Sequence, residues 1–539
     1  MKKIYLATTI VMLLGISSCN DDFLDRKATN AIPEETVFED PAMMQLLINN
    51  MYLDVPNFDF DFPKGLYDNI TDESRSYWGS SPRNVLQGQW FPDSNPMEYW
   101  PYGAVRKTNI FLSKIDDSPV SEDEKSALKG EVKFLRAKLY FDMIKRYGGI
   151  PVITEPQELS DDLFVARETT DVSFDFVIRE LEETVELLPA THGSRAIDVG
   201  KANKLSAKAL LGRVLLYWAS PLYNPGADMS RWVKAAEVNK EVIDADVYDL
   251  YPSFRNIMID KNNVEEIFSV QFLKPYREHG WDSWHQPDSQ SRQFASARCP
   301  VQEFIDAFEM ANGKSITDPS SGYNPDNPYE NRDPRLLETV VVNGGLFFGN
   351  PIYMYVGGLD GINKPYQTVT GYQLRKGTNE NNKDYYADAG SDQNWLELRY
   401  AEVLLNYAEA KNEASTAPDQ TVYSAVEKIR QRAGLNPYQL PQSLTKAEMR
   451  EKIRHERYIE LAFESKRYWD LRRWKTAKEV LDGKKYSAMY ITRHDNGSYS
   501  YEVKPVDGVP CVFQEKMYFM PIPQREIEKN PNLDQNPDW

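Results

Sequence analysis

Cysteine and histidine are scarce in this chain: 3 and 5 among 539 residues. Catalysis or metal binding built on those side chains therefore has little to draw on. His279, His285 and Cys299 share one irregular region, but their spacing fits no zinc pattern. Cys299 has no evident base partner, no Gly-x-Ser-x-Gly elbow occurs, and Gly313-Lys314-Ser315 lacks the earlier glycine of a phosphate loop, since Phe308 stands there. Cys299 and Cys511 read as two buried thiols rather than a disulfide. Basic charge is also in deficit, with 63 Lys and Arg against 81 Asp and Glu, a net of −18. Such a surface repels nucleic acid and anionic lipid, and neutral ligands fit it best. Long apolar runs are missing too. Ile4 to Ile16 is shorter than the roughly 20 residues a membrane-spanning helix needs.

That run follows Lys2 and Lys3 and ends in Ile16-Ser17-Ser18-Cys19, which reads as a secretory leader over residues 1–18. Small residues before Cys19 resemble a lipobox, in which the cysteine is acylated and anchors the chain; acyl chains contribute about 0.8 kcal/mol per buried CH₂. Residues 19–40 read as a lipidated tether. The remainder divides into a helical region over 41–250 and a second region over 251–539. The second is loop-rich to 394, helical over 395–480 and extended thereafter.

Aromatics make up 12% of the chain. Amphipathic stripes recur at helical spacing: Leu128, Val132, Leu135, Leu139 and Met143, then Phe174, Val177, Leu181, Val185 and Leu188. Small residues in Ala207-x-Ala209-Leu210-Leu211-Gly212 and Ala235-Ala236 suit close helix crossings. Helical hairpins are expected near 102–147, 173–219, 205–243 and 395–432. Glu265 to Phe272 alternates like a short strand, and Val301 to Met310 reads as a helix. Arg454 to Trp474 holds no Gly or Pro, which predicts one long helix. Glu456, Glu460 and Glu464 stack on it at i,i+4, with Arg457, Arg467 and Arg473 as the compensating cations within reach. A core helix with a salt-bridge network is the expected role there, in preference to a ligand site.

The order of residues in Arg454–Trp474 is similar to the C-terminal signature of the SusD/RagB family of nutrient-binding lipoproteins. Further strings resemble the same family: Phe134-Leu135-Arg136-Ala137 with Tyr147-Gly148-Gly149-x-Pro151, Asn331-Arg332-Asp333-Pro334-Arg335, Tyr372-x2-Arg375-Lys376, the Gly-rich 343–361, Leu396 to Ala410, and the tail from Phe519 to Trp539. Asn20-Asp21-Asp22 after Cys19 resembles the family's surface-export tag. The resemblance implies a mainly α fold, a TPR-like hairpin scaffold with a loop-rich second region carrying a few short strands. It also implies a non-catalytic lipoprotein on the outer membrane, facing the exterior. Such a protein binds oligosaccharide or polysaccharide and passes it to a SusC-like TonB-dependent transporter. Peptide capture, known among relatives, and an extracellular glycoside hydrolase are the alternatives. No cofactor is implied, and no specific motif supports calcium.

Sugar C–H faces lie flat on Trp and Tyr while Asn, Asp and Arg take the hydroxyls. Two loop regions supply that mixture. The first offers Arg75, Tyr77, Trp78, Trp90 and Asn95; the second offers Tyr276, Trp281, Trp284 and Arg292. The expectation is that both regions build one aromatic platform, with Trp90 and Trp281 contributing to it.

Overall fold

The computed structural model describes residues 34–55, 66–78, 80–190, 199–287, 289, 296–362, 364–383 and 389–539. Cys19, its leader and the Asn20-Asp21-Asp22 tag lie outside them, as does Arg292. The chain is mainly helical. Its scaffold consists of α1 (Pro41–Tyr52), α2 (Tyr102–Lys114), α3 (Glu122–Tyr147), α4 (Thr170–Leu187), α5 (Lys204–Ala219), α6 (Met229–Asp244), α7 (Tyr400–Ala414), α8 (Gln420–Arg432) and α9 (Lys446–Glu460). Consecutive members pack on one another: α3 on α4, α5 on α6, α7 on α8. The two halves join where α6 lies against α7. At the α5–α6 crossing, a Cβ on Gly212 would stand 2.6 Å from Asn239 Oδ1, so only glycine permits that approach.

Local signals set the helix ends. Ser121 and Glu124 form a capping box at the start of α3, and Thr445 and Glu448 do the same for α9. The apolar stripes of α3 and α4 are buried as their spacing predicts, in one contiguous core. The strands are short and pair in twos. The predicted strand near 265–272 is β2 (Glu266–Val270), and it pairs with β4 (Trp395–Arg399). The string Leu396 to Ala410 is therefore not helical throughout, since the helix begins only at Tyr400. The helix expected over Val301 to Met310 is confined to Gln302–Ala307.

The largest departure concerns Arg454–Trp474. There α9 stops at Glu460, and α10 (Arg467–Arg473) starts separately. Between them Phe463 and Ser465 take left-handed backbone, with φ of 59° and 56°. The break has an electrostatic cause. Lys376 Nζ donates to the carbonyls of Glu460 and Ala462, 2.9 Å each, and Arg399 Nη2 donates to the Glu460 carbonyl at 2.8 Å. These buried cations take acceptors that a longer helix would keep for itself, and they draw Glu464 inward.

The charge pairing also differs from the sequence expectation. Glu456 meets Arg335 at 2.5 Å and Arg430 at 3.3 Å. Glu460 meets Arg335 at 3.0 Å, Arg399 at 2.8 Å, and Arg432. Glu464 meets Arg399 and Lys376 at 2.8 and 2.6 Å. Arg457 and Arg473 turn instead to Asp470, at 3.1 and 2.8 Å, and Arg473 also holds Glu409 at 2.5 Å. Arg467 pairs with Asp72 at 2.7 Å. The i,i+3 pair Asp470–Arg473 is local, as the alternation of sign there suggests; for Glu456, Glu460 and Glu464 local helical proximity loses because the tertiary fold offers charge-assisted hydrogen bonds with water excluded. Burial alone would push the Glu460 carboxyl up; the guanidinia of Arg432, Arg399 and Arg335 outweigh it and hold it far below its ordinary range.

Candidate functional site: an aromatic surface beside a cavity

The two loop regions do meet, through backbone. Strand β1 (Ser74–Arg75) pairs antiparallel with β3 (Cys299–Pro300), Arg75 opposite Cys299. One step further, Tyr77 N donates to Ser296 O at 3.1 Å. Ser296 Oγ in turn faces Tyr366 O at 3.4 Å and accepts from Gln373 Nε2 at 2.7 Å. These contacts bring a third segment, the glycine-rich loop 353–366, beside Trp78.

The result is an aromatic cluster at the surface. Trp78 and Tyr366 stack with centroids 5.3 Å apart and planes 28° from parallel. Tyr77 stands edge-on to Trp78 at 5.4 Å and tilted on Tyr366 at 5.6 Å. Tyr77 and Tyr366 are 36% and 43% exposed, while Trp78 is half-buried. Ser296 and Tyr366 hold φ of 68° and 62°. A left-handed bulky residue costs on the order of 1–3 kcal/mol, and such strain gathers at binding sites. The loop keeps its shape because Asp360 accepts from the backbone N–H groups of Ser289 and Tyr353, both at 3.3 Å, and Gln367 Nε2 donates to Leu359 O at 3.1 Å. Gly361 is required there, since a Cβ would lie 2.2 Å from Tyr355 O.

Next to the cluster opens a cavity of about 380 Å³, whose lining includes Ser76, Arg83, Gln87, Val369 and Asp507. Its floor is a bidentate pair, with Arg75 Nε and Nη2 donating to Asp507 at 2.8 and 3.0 Å. Asp507 also accepts from Tyr486 N at 2.9 Å. It is the one carboxylate on that lining among the described residues, whereas glycosidic cleavage uses two flanking the bond. Cys511 lines the cavity too, and burial pushes its thiol up to about 11, which favours the protonated form at neutral pH. A larger hollow of about 610 Å³ lies near Tyr102 and Asn530. Two of its polar groups are engaged within the chain: Tyr102 OH donates to Pro151 O at 2.5 Å and Asn530 Nδ2 to Val165 O at 2.9 Å.

Of the residues singled out from sequence, Trp78 lies in the cluster and Arg75 under it, 6% exposed and engaged with Asp507. Trp90, Trp281, Trp284 and Asn95 are buried and so do not form the expected single platform. Trp90 is 2% exposed and packs on Trp539, centroids 4.6 Å apart. Trp281 has no exposed surface; the Arg298 guanidinium lies over its ring at 4.5 Å and His285 packs at its edge. Trp284 is buried in the same turn, and Asn95 is buried with its Oδ1 accepting from Met97 N at 2.9 Å. Apolar area decided these cases, since a large ring lowers the free energy more inside than at the surface. Tyr276 is 86% exposed on the turn Leu273–Arg277, and no aromatic ring packs on it among the described residues.

Tyr366 is the residue that sequence reading missed. Its signal was Pro365-Tyr366 at the end of the glycine-rich stretch, but nothing local told that it would stack on Trp78. Burial holds His279 down at about 3, and burial with Arg298 lowers His285 too, so both imidazoles are neutral packing groups. No group of three or more His, Cys, Asp or Glu side chains suited to a metal occurs among the described residues. Cys299 and Cys511 are both buried and free.

Known proteins share this fold. Residues 264–539 match the model of the SusD family, and residues 22–216 match a model described as starch-binding, associating with the outer membrane. The chain belongs to the SusD family. It is 26% identical to a SusD-like protein of Formosa agariphila over 99% of both chains. Its fold is similar to the crystal structure of a SusD-like protein of Bacteroides fragilis, with a TM-score of 0.79, 29% identity, and coverage of 94% of this chain and 99% of that one. A second Bacteroides fragilis structure, described as a SusD-like carbohydrate binding protein, aligns with a TM-score of 0.77 and 23% identity over 93% of this chain and 100% of that one. No helix among the described residues is long and apolar enough to cross a membrane.

Proposed function

We propose that this protein is a surface lipoprotein that captures glycan on the Tyr77–Trp78–Tyr366 face and delivers it to a TonB-dependent outer-membrane transporter, without making or breaking a bond. The observation that carries the reading is the stacked, part-exposed Trp78–Tyr366 pair beside the cavity. Flat aromatic faces with Ser76 and Gln87 at the margin suit sugar rings and their hydroxyls. Family membership supports capture and delivery, and the Ile16-Ser17-Ser18-Cys19 string supports anchoring through Cys19 on the outer membrane.

Affinity electrophoresis and calorimetry against a panel of purified glycans test the proposal. At least one glycan is expected to bind, and Trp78→Ala and Tyr366→Ala should each weaken it by roughly tenfold, since one stacked ring contributes about 0.5–1.5 kcal/mol beyond its buried area. Full affinity in both variants removes this face from the site. Sugar release on prolonged incubation with the bound glycan would make the protein a hydrolase instead.

A further inference from the structure

The excess of acid over base makes a neutral ligand the simplest expectation, yet the charges around the aromatic face tell otherwise. Elsewhere many buried cations sit on carboxylates, as Arg335, Arg399 and Arg473 do, although Arg332 is held by the carbonyls of Pro328, Ile305 and Phe308. Four exposed basic side chains near the site have no carboxylate partner among the described residues: Arg83, Lys364, Lys485 and Arg493. Lys364 donates to the carbonyl of Gly358 at 2.5 Å, and Lys485 to that of Gly508 at 3.1 Å. Arg493 lies over the Tyr355 ring, 5.6 Å from its centroid.

All four converge on the surface already described. Arg83 lines the cavity, and Gly508, which Lys485 holds, lines it too. Lys364 precedes Tyr366 by two residues, on the loop whose other end carries Tyr355. Opposing charge is weak here. Asp507 is neutralised by Arg75, Asp360 is 1% exposed and taken by backbone N–H groups, and Glu502 is paired with Lys504 at 2.8 Å. Asp495, exposed at the hairpin turn two residues beyond Arg493, and Asp482, exposed three residues before Lys485 and accepting from Phe513 N, are the remaining acids near these cations in sequence. The net charge of −18 acts at long range, but salt screens it beyond about 8 Å at physiological ionic strength, so a bound ligand responds to the local cations.

We propose that the ligand of this face is an anionic glycan, with uronate carboxylates or sulfate esters seated on Arg83, Lys364 and Lys485 while sugar rings stack on the aromatics. This rests on reading the face as a glycan site. A cation held by a carbonyl keeps N–H donors for a carboxylate or sulfate oxygen, and charge-assisted hydrogen bonds are about twice as strong as neutral ones.

The test measures binding of the full mature chain in 0.15 M NaCl with EDTA. The probes are polygalacturonate, its methyl ester, a carrageenan, laminarin and soluble starch. At least one anionic polymer should bind better than the neutral ones. Methyl esterification should abolish uronate binding if carboxylates are recognised; retention of carrageenan alone would assign the sulfate ester. The triple variant R83Q/K364Q/K485Q should weaken anionic binding by about tenfold or more, each exposed pair contributing up to about fivefold, with an unchanged melting temperature. Binding of a neutral glycan that depends on Trp78 but not on the three cations overturns this inference and leaves the glycan reading standing. Equal anionic binding by wild type and the triple variant overturns it too. Failure of every glycan to bind removes both.

Discussion

Replacing Glu460 by Gln is a severe test of the charge network, because it removes one charge and almost no volume. Glu460 has no exposed surface and accepts from Arg335, Arg399 and Arg432. Each of those guanidinia keeps another carboxylate: Arg335 keeps Asp333 and Glu456, Arg399 keeps Glu265 and Glu464, and Arg432 keeps Glu265. The variant therefore leaves one uncompensated positive charge in a dry site rather than three stranded cations. Breaking a buried pair in this way costs about 3–5 kcal/mol. Unfolding entropy of about 2.1 cal/mol/K per residue gives roughly 1.1 kcal/mol/K for a chain of 539 residues. The expected fall in melting temperature by calorimetry is about 3–5 °C.

Two controls sharpen the measurement. Glu451→Gln removes an exposed charge 3.6 Å from Arg454 and should stay within about 0.5 kcal/mol of wild type. Removing a matching cation as well, in Glu460→Gln/Arg432→Gln, should recover part of the loss, so the double variant is more stable than the sum of the singles by at least about 0.5 kcal/mol. A Glu460→Gln melt within 1 °C of wild type, or strict additivity in the double variant, would refute the claim that a buried, coupled network holds this region.

Three further outcomes follow from the same structure. Burial pushes the Glu409 carboxyl up, but Arg473 and Arg457 outweigh it and hold it at about 2, below its ordinary 4.5. The folded chain thus binds fewer protons than the unfolded one in that interval. Its stabilisation is present above about pH 4.5 and is lost as pH falls towards 2; thermal melts from pH 5 to 3 should fall less steeply in Glu409→Gln than in wild type. Trp281→Ala should cost about 3–5 kcal/mol by creating a core cavity, with glycan affinity of the folded fraction unchanged. Cys19→Ala should move the protein from the membrane to the soluble fraction; retention in membranes of cells lacking the partner transporter would defeat the lipoprotein proposal.

The scaffold was legible because helices of this kind declare themselves locally. The stripes of α3 and α4, the Ser121 and Thr445 caps, and the stop at Gly148 are all encoded within a few residues of where they act. What escaped is non-local. Arg454–Trp474 has the propensity of one helix, yet Lys376 and Arg399, dozens of residues away in sequence, cut it at Glu460. Trp90 and Trp281 have the composition of a sugar platform, yet Trp539 and Arg298 enclose them. An exposed tryptophan and a buried one look alike in a loop. Only the pairing of β1 with β3 and the placing of loop 353–366 decide that Trp78 stays at the surface.

The strings that resemble the family turn out to be parts of one object. Asp333 and Arg335, Lys376, Arg399, and Glu456 to Glu464 come from four separated stretches and close a single buried ion network. Apart from Asp333 and Arg335, which pair within their own string, these charges find their partners on the other strings, so their meaning is their mutual geometry. A dry network of this kind is unforgiving, since any member lost strands a charge. The proposed binding face makes the opposite use of residues. Tyr77, Trp78 and Tyr366 rest on loops with strained backbone at Ser296 and Tyr366, outside the network, and their neighbours Arg83, Lys364 and Lys485 have no carboxylate partner among the described residues, Lys364 and Lys485 each holding one backbone carbonyl. Substitutions there are expected to change what is bound without disturbing what holds the chain together. A rigid charged interior can therefore carry a recognition surface whose specificity varies on its own, and the unpaired cations are where this chain's specificity is to be sought.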